Sequence, residues 1–234
     1  MVRKQNPNLE ILKLAVERLG ELNQEMVFIG GCAVGLLITD EAAPPIRMTR
    51  DVDAIVQVAS KAEYYQLAKK LRKKGFAEDL SENAPLCRWV VENLVLDVMP
   101  TDTTILGFGN RWYQSAMENS VEITIDKDVK VQMVSPAYFL ITKLEAFDGR
   151  GNGDYLLSHD IEDIVAVLDG RPEMLSDVEQ APSELKKELA ERFASLLKEP
   201  RFLESISGHL PGDEVSQARL PLVIKLIKSI AALV

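Results

Sequence analysis

The chain has 234 residues, 47% hydrophobic and 27% charged, the balance of an ordinary globular protein with room for one large domain or two modest ones. Its formal net charge of -9 argues against a protein held on nucleic acid mainly by non-specific attraction. Two cysteines do not make a disulfide framework, and the opening Met1-Val2-Arg3-Lys4-Gln5-Asn6 has no apolar signal core, so a reducing cytoplasm is the expected location.

Leu12, Val16, Leu19 and Leu22 recur at helical spacing, with Lys13, Glu17 and Arg18 between them, and predict an amphipathic first helix. Met26-Val27-Phe28-Ile29 is a short apolar run ended by Gly30-Gly31. It reads as a buried strand entering a tight turn, followed by a helix over 32–38. Residues 40–49 hold Pro44-Pro45 and must loop. The alternation over 51–58 predicts a strand, and 61–74 a helix stopped at Gly75. The runs 87–91 and 94–98 around Glu92-Asn93 predict a hairpin, and 121–125 with 129–134 a second. Ser135-Pro136 has the form of an N-cap with proline at the first helical position.

Beyond it the pattern is helical, over 137–147, 158–168, 183–197 and a terminal stretch from 220. A glycine-rich flexible loop is expected over 149–154. The terminal stretch is fifteen residues long and contains Lys225 and Lys228, too short to span a bilayer. The expected fold class is α+β: a mixed sheet-and-helix domain over 1–134, then a helical domain over 135–234.

Three acids stand in strand-like runs: Asp51 and Asp53 in Asp51-Val52-Asp53, and Asp97 in Leu94-Val95-Leu96-Asp97-Val98-Met99. Unpaired charge is costly to bury, so acids so placed call for a counter-charge. Residues two apart on a strand share a face, so Asp51 and Asp53 are neighbours. Asp97 joins them if its strand pairs alongside in matching register. Two carboxylates about 4 Å apart repel by roughly 4 kcal/mol at an effective dielectric near 20. A hard divalent cation such as magnesium relieves that repulsion and takes substrate phosphate among its other ligands. Gly30 and Gly31, between strand and helix, let the backbone approach a phosphate closely. The bland alternative is that Asp51 and Asp53 cap a strand edge and pair with Arg50 and Arg47.

These residues resemble the nucleotidyltransferase superfamily typified by polymerase beta, whose signature is a Gly-Gly or Gly-Ser turn, Asp-x-Asp and a third acid on a neighbouring strand. The likeness extends to the abortive-infection nucleotidyltransferase toxins of type IV toxin–antitoxin systems. It runs through Gly30-Gly31-Cys32-Ala33-Val34-Gly35-Leu36, Thr49-Arg50-Asp51-Val52-Asp53, Leu96-Asp97-Val98-Met99-Pro100, Gly107-Phe108-Gly109-Asn110-Arg111-Trp112-Tyr113 and Lys143-Leu144-Glu145-Ala146-Phe147, and on to Arg150 and Ser158-His159-Asp160-Ile161-Glu162-Asp163-Ile164. It covers most of residues 8–171 and nothing in the last sixty.

The resemblance implies an NTP co-substrate, two magnesium ions, and transfer of a nucleoside monophosphate to an acceptor with release of pyrophosphate. It implies that Asp51, Asp53 and Asp97 hold the ions, that Asp97 helps activate the acceptor, and that Gly30 and Gly31 cradle the triphosphate. Lys143 matches a catalytic, nucleotide-facing lysine and Asp160 a nucleotide-binding acid. The acceptor it implies is the 3′ end of tRNA, with a protein side chain or a small molecule as alternatives, and an antitoxin is the partner such a toxin has. Two departures stand out: Gly31 where many members have serine, and a long gap, with Pro44-Pro45, before Asp51. The rival class is a nucleotide-binding interaction module or degenerate transferase, and a drug- or sugar-modifying transferase shares the same acids.

Each remaining candidate has a structural reading as well. Lys143 can snorkel from an apolar helix face. Arg150 can grip phosphate or lie in water. Asp160 and Asp163 can simply favour a helix N-terminus, with His159 a solvated cap. The basic run Lys69-Lys70-Leu71-Arg72-Lys73-Lys74 reads as a solvated helix face, Trp112 and Tyr113 as core, and Cys32 and Cys87 as small buried residues.

Overall fold

The computed structural model describes residues 6–127 and 129–233. The chain divides into two compact units, one of Met1–Gly35 with Arg47–Ser135, the other of Leu36–Ile46 with Pro136–Val234. The class is α+β, with a seven-stranded mixed sheet and helices.

The first unit is built on that sheet. Its strands are β1 (Met26–Ile29), β2 (Asp51–Val56), β3 (Ala77–Glu78), β4 (Arg88–Val91), β5 (Leu94–Pro100), β6 (Val121–Asp126) and β7 (Val129–Met133). Their order across the sheet is β3-β4-β5-β2-β1-β7-β6. β1 lies antiparallel to β2 and parallel to β7, and β2 lies parallel to β5. All four residues of β1 are buried, as its unbroken apolar run requires for a central strand. In β2 the alternation works differently. Val52 and Ala54 are fully buried on one face, while Asp51 and Asp53 are half-buried on the other.

Helices flank the strands in sequence: α1 (Leu9–Leu19), α2 (Val34–Leu37), α3 (Lys61–Lys73) and α4 (Tyr113–Glu118). α1 buries Leu12, Ala15, Val16 and Leu19, one helical face. α3 starts where Ser60 accepts a hydrogen bond from the Glu63 amide, an N-cap.

The helix expected over 32–38 is mostly absent. A single tight turn spans Gly30–Cys32, and the four-residue α2 follows it. The chain then leaves for the second unit, where the amides of Thr39 and Asp40 donate to the Gly170 carbonyl at 3.0 and 2.9 Å. Those donors are satisfied outside a helix, so the helix stops.

The second unit is helical: α5 (Pro136–Arg150), α6 (His159–Gly170), α7 (Met174–Glu179), α8 (Ser183–Leu196), α9 (Pro200–Gly208), α10 (Glu214–Gln217) and α11 (Leu220–Ala231). Phe139, Leu140, Leu144, Ile164, Leu189, Phe193, Phe202 and Ile227 are fully buried and form its core. α5 carries on through Gly149 and Arg150, which the sequence assigns to a loop. Arg219 ties Asp169 and Asp40 together with ion pairs of 2.6 Å each. No helix among the described residues is long and apolar enough to cross a membrane.

Candidate active site

The parallel pairing of β2 with β5 sets Asp53 opposite Asp97, with Asp51 opposite Val95 one step back. Paired residues in adjacent strands point to the same face, and so do residues two apart. Asp51, Asp53 and Asp97 therefore share one face of the sheet. Asp97 is 6% exposed, the most buried of the three.

Gly30 stands at the end of β1, where Ile29 pairs with Asp53. Its φ is +70°, a left-handed conformation open to glycine at little cost. A Cβ at Gly30 would run into the Asp53 carboxylate. A Cβ at Gly31 would meet the Arg47 guanidinium and the Thr49 hydroxyl, each 3.1 Å away. Where many superfamily members carry a serine, then, the Thr49 hydroxyl stands beside the turn. The phosphate-favouring helix start expected after the glycines is not formed, since α2 is a single turn.

One residue that the sequence pattern did not single out sets this geometry. Asn8 is 2% exposed. Its side-chain amide donates to the carbonyls of Gly31 and Arg47, both at 3.2 Å, and its oxygen accepts from the Thr49 amide at 2.9 Å. It stitches the glycine turn to the strand that carries Asp51.

A second such residue is Arg88. β4 runs antiparallel to β5 and places Arg88 opposite Asp97. Its Nε donates to Asp97 Oδ1 at 2.8 Å and its Nη2 to Asp97 Oδ2 at 2.7 Å, a two-pronged grip, and Nη2 also reaches Asp51 Oδ2 at 3.1 Å. The remaining Asp51 oxygen accepts from the Thr49 hydroxyl at 2.9 Å. The Asp97 hydrogen bonds hold the Arg88 guanidinium charged and raise its pKa further, against the opposing effect of partial burial. Arg88 is thus an arginine on Asp51 and Asp97 that the sequence reading did not name.

The donor set is right for magnesium in kind, being carboxylate oxygen, but the arrangement does not fit an ion. All four oxygens of Asp51 and Asp97 already accept hydrogen bonds, three from one guanidinium. Among the described residues no three His, Cys, Asp or Glu side chains are arranged to hold a metal.

Lys143 and Asp160 belong to the helical unit, where they meet. Lys143 is 6% exposed, and its ammonium pairs with Asp160 at 3.0 Å and Asp163 at 2.7 Å rather than snorkelling to water. Arg150 donates through Nε and Nη2 to both oxygens of Asp160, at 2.8 and 2.7 Å. Burial alone would raise the Asp160 pKa, but the Arg150 hydrogen bonds and the charges of Lys143 and Arg150 outweigh it and hold the carboxyl below its ordinary range. Asp160 stands in the first turn of α6, where a negative charge favours the helix N-terminus, and Asp163 follows three residues on; both are also buried partners of Lys143.

The remaining candidates have ordinary surroundings. His159 is exposed and faces Glu162 at 2.9 Å. In the basic run, Lys70 pairs with Glu25, and Arg72 pairs with Glu78 while lying 5.6 Å over Trp89. Trp112 and Tyr113 are buried at the start of α4. Cys32 and Cys87 are buried thiols. Burial, and then the negative charges of Asp97 and Asp53, push the Cys87 thiol up to about 12.

No family model matches the chain, and no curated protein matches it. Among solved structures it is similar to an antigenic nucleotidyltransferase-like protein from Paracoccidioides brasiliensis, at 21% identity over 88% of this chain and 94% of that one, with a TM-score of 0.49. It is also similar to a protein from H. pylori provisionally named a nucleotidyltransferase, at 12% identity over 97% of this chain and 95% of that one, again with a TM-score of 0.49. Likeness at that level decides nothing about chemistry, which has to come from the residues.

Proposed function

We propose that the chain is a nucleotidyltransferase that takes a nucleoside monophosphate from an NTP. The observation that carries this reading is the register of β2 against β5, which sets Asp97 beside Asp53 on the face that Asp51 shares, next to the bend at Gly30. In the reaction an acceptor oxygen attacks the α-phosphorus. The bond from that phosphorus to the bridging oxygen breaks, pyrophosphate leaves, and the acceptor proton passes to a carboxylate of the acid face. The glycine turn receives the triphosphate, with the Arg47 guanidinium beside Gly31 as a donor to it. The magnesium requirement, a tRNA 3′ end as acceptor, a toxin role and an antitoxin partner belong to this reading through the family resemblance alone.

The test is direct. The pure chain is incubated with each α-labelled NTP, magnesium, and total RNA or cell lysate, and both label transfer and pyrophosphate are measured. One class of acceptor is expected to take label, and Asp53→Ala is expected to abolish transfer while the protein stays folded. A fully active Asp53→Ala protein ends the proposal, as does the absence of transfer from every NTP.

One observation favours a second reading, a nucleotide-binding module without transfer: the grip of Arg88 on Asp97 and Asp51. Saturable NTP binding with no pyrophosphate released marks that outcome.

A further inference from the structure

We propose that Arg88 is a built-in counter-cation that closes the acid face to divalent metal, and that a metal ion binds there only when this guanidinium swings out. The inference rests on the nucleotidyltransferase reading of Asp51, Asp53 and Asp97. It comes from the mismatch between the metal that reading implies and the contacts the chain makes.

The three acids carry three formal negative charges on one face, and Arg88 supplies one positive charge in their midst. Its planar fork matches a carboxylate better than any lysine would. Because the hairpin turn fixes the pairing of β4 with β5, the Arg88 Cα is held opposite Asp97. The contact is therefore part of the strand register rather than a chance meeting of long surface side chains.

A guanidinium spanning Asp51 and Asp97 and a cation bridging the same oxygens exclude one another. Arg88 is nonetheless able to leave. Its side chain keeps 26% of its surface in water, whereas the Asp97 side chain keeps 9%. The side chain is long, and once withdrawn its fork is free to take a phosphate. The acids would then present to a cation the hard oxygens it favours. Metal affinity in the nucleotide-free chain is accordingly low, and the fold survives without metal because Arg88 offsets part of the charge of Asp51 and Asp97.

The experiment is a manganese titration of the nucleotide-free full-length chain, with free ion followed by electron paramagnetic resonance. Wild type, Arg88→Gln and Arg88→Lys are compared. Arg88→Gln is expected to bind manganese at least tenfold more tightly than wild type, and to lose that gain when Asp53→Asn is added. Its melting temperature is expected to fall in EDTA and to recover with manganese, while that of wild type is insensitive to the ion. If Arg88→Gln does not fold, Arg88→Lys is read instead, with a smaller gain of the same sign, because an ammonium cannot fork across both oxygens. Equal manganese affinity in wild type and the folded variants overturns the inference. That result is separate from failure of the transferase reading, which shows as no transfer from any NTP by wild type.

Discussion

Gly30 and Asp53 fit each other by the absence of a side chain: the Asp53 carboxylate occupies the space that any Cβ at Gly30 would take. The same glycine holds a φ of +70°. Placing alanine there costs about 1–2 kcal/mol in backbone strain alone, before the carboxylate is displaced. Gly30→Ala is expected to lower the urea midpoint and, on the proposed reading, to abolish NTP binding. Gly75→Ala is the control, because its φ of +89° imposes comparable strain while its Cβ position meets nothing closer than 3.8 Å. Equal effects of the two substitutions on binding would show that the Asp53 contact is irrelevant to it.

The acid face was legible in the sequence because strand periodicity is strict. Asp51 and Asp53 had to share a face, and only the pairing of β2 with β5 remained open. The Arg88 contact is equally legible. A two-residue turn at Glu92-Asn93 sets Val91 against Leu94, and counting back sets Arg88 against Asp97. Asn8 gave no such signal, since a polar residue just before a helix reads as a cap. Its three hydrogen bonds reach 23 to 41 residues along the chain. Lys143 was obscure for a related reason: helical spacing shows which face a residue lies on, but not whether two aspartates wait there. The short elements α7, α9, α10 and β3 fall below the length at which periodicity shows.

Asn8→Ala should therefore do more than an ordinary loop substitution. It strands the Thr49 amide and the Gly31 carbonyl, and buried polar groups left unpaired cost about 1–3 kcal/mol each. Some of that is recovered by water, so a net loss of about 2–4 kcal/mol is expected on chemical denaturation. Asn8→Asp keeps the acceptor for Thr49 but turns a carboxylate toward two carbonyls, and should be at least as harmful. A loss below about 0.5 kcal/mol for both variants, the range of an ordinary surface substitution, would contradict the stitching role.

Lys143 is the central charge of the helical unit. Lys143→Met leaves Asp163 buried, its side chain 2% exposed, without the cation 2.7 Å away. Removing one partner of a buried ion pair costs about 3–5 kcal/mol, because the other charge is left uncompensated. The double substitution Lys143→Met with Asp163→Asn should recover a large share of that loss, a positive coupling measured by a double-mutant cycle. If the double variant is as unstable as the sum of the two singles, Lys143 and Asp163 act independently and the pair has no structural role.

Acid titration isolates Asp160. Its carboxyl is held below the ordinary 3.8, with burial opposed and outweighed by Arg150 and Lys143. The unfolded chain therefore takes up the proton first as pH falls. Stability from this group is present in full above the ordinary carboxylate value, and is lost progressively as pH drops from about 4 through the folded pKa. Asp160→Asn removes the titration together with the charge. Its urea midpoint should lie below that of wild type at pH 7, and the gap should narrow below pH 4, where wild type is losing the contribution that the variant never had. A gap that stays constant from pH 7 to pH 3 would mean that the ion pairs of Asp160 add nothing to the folded state beyond those of the unfolded chain.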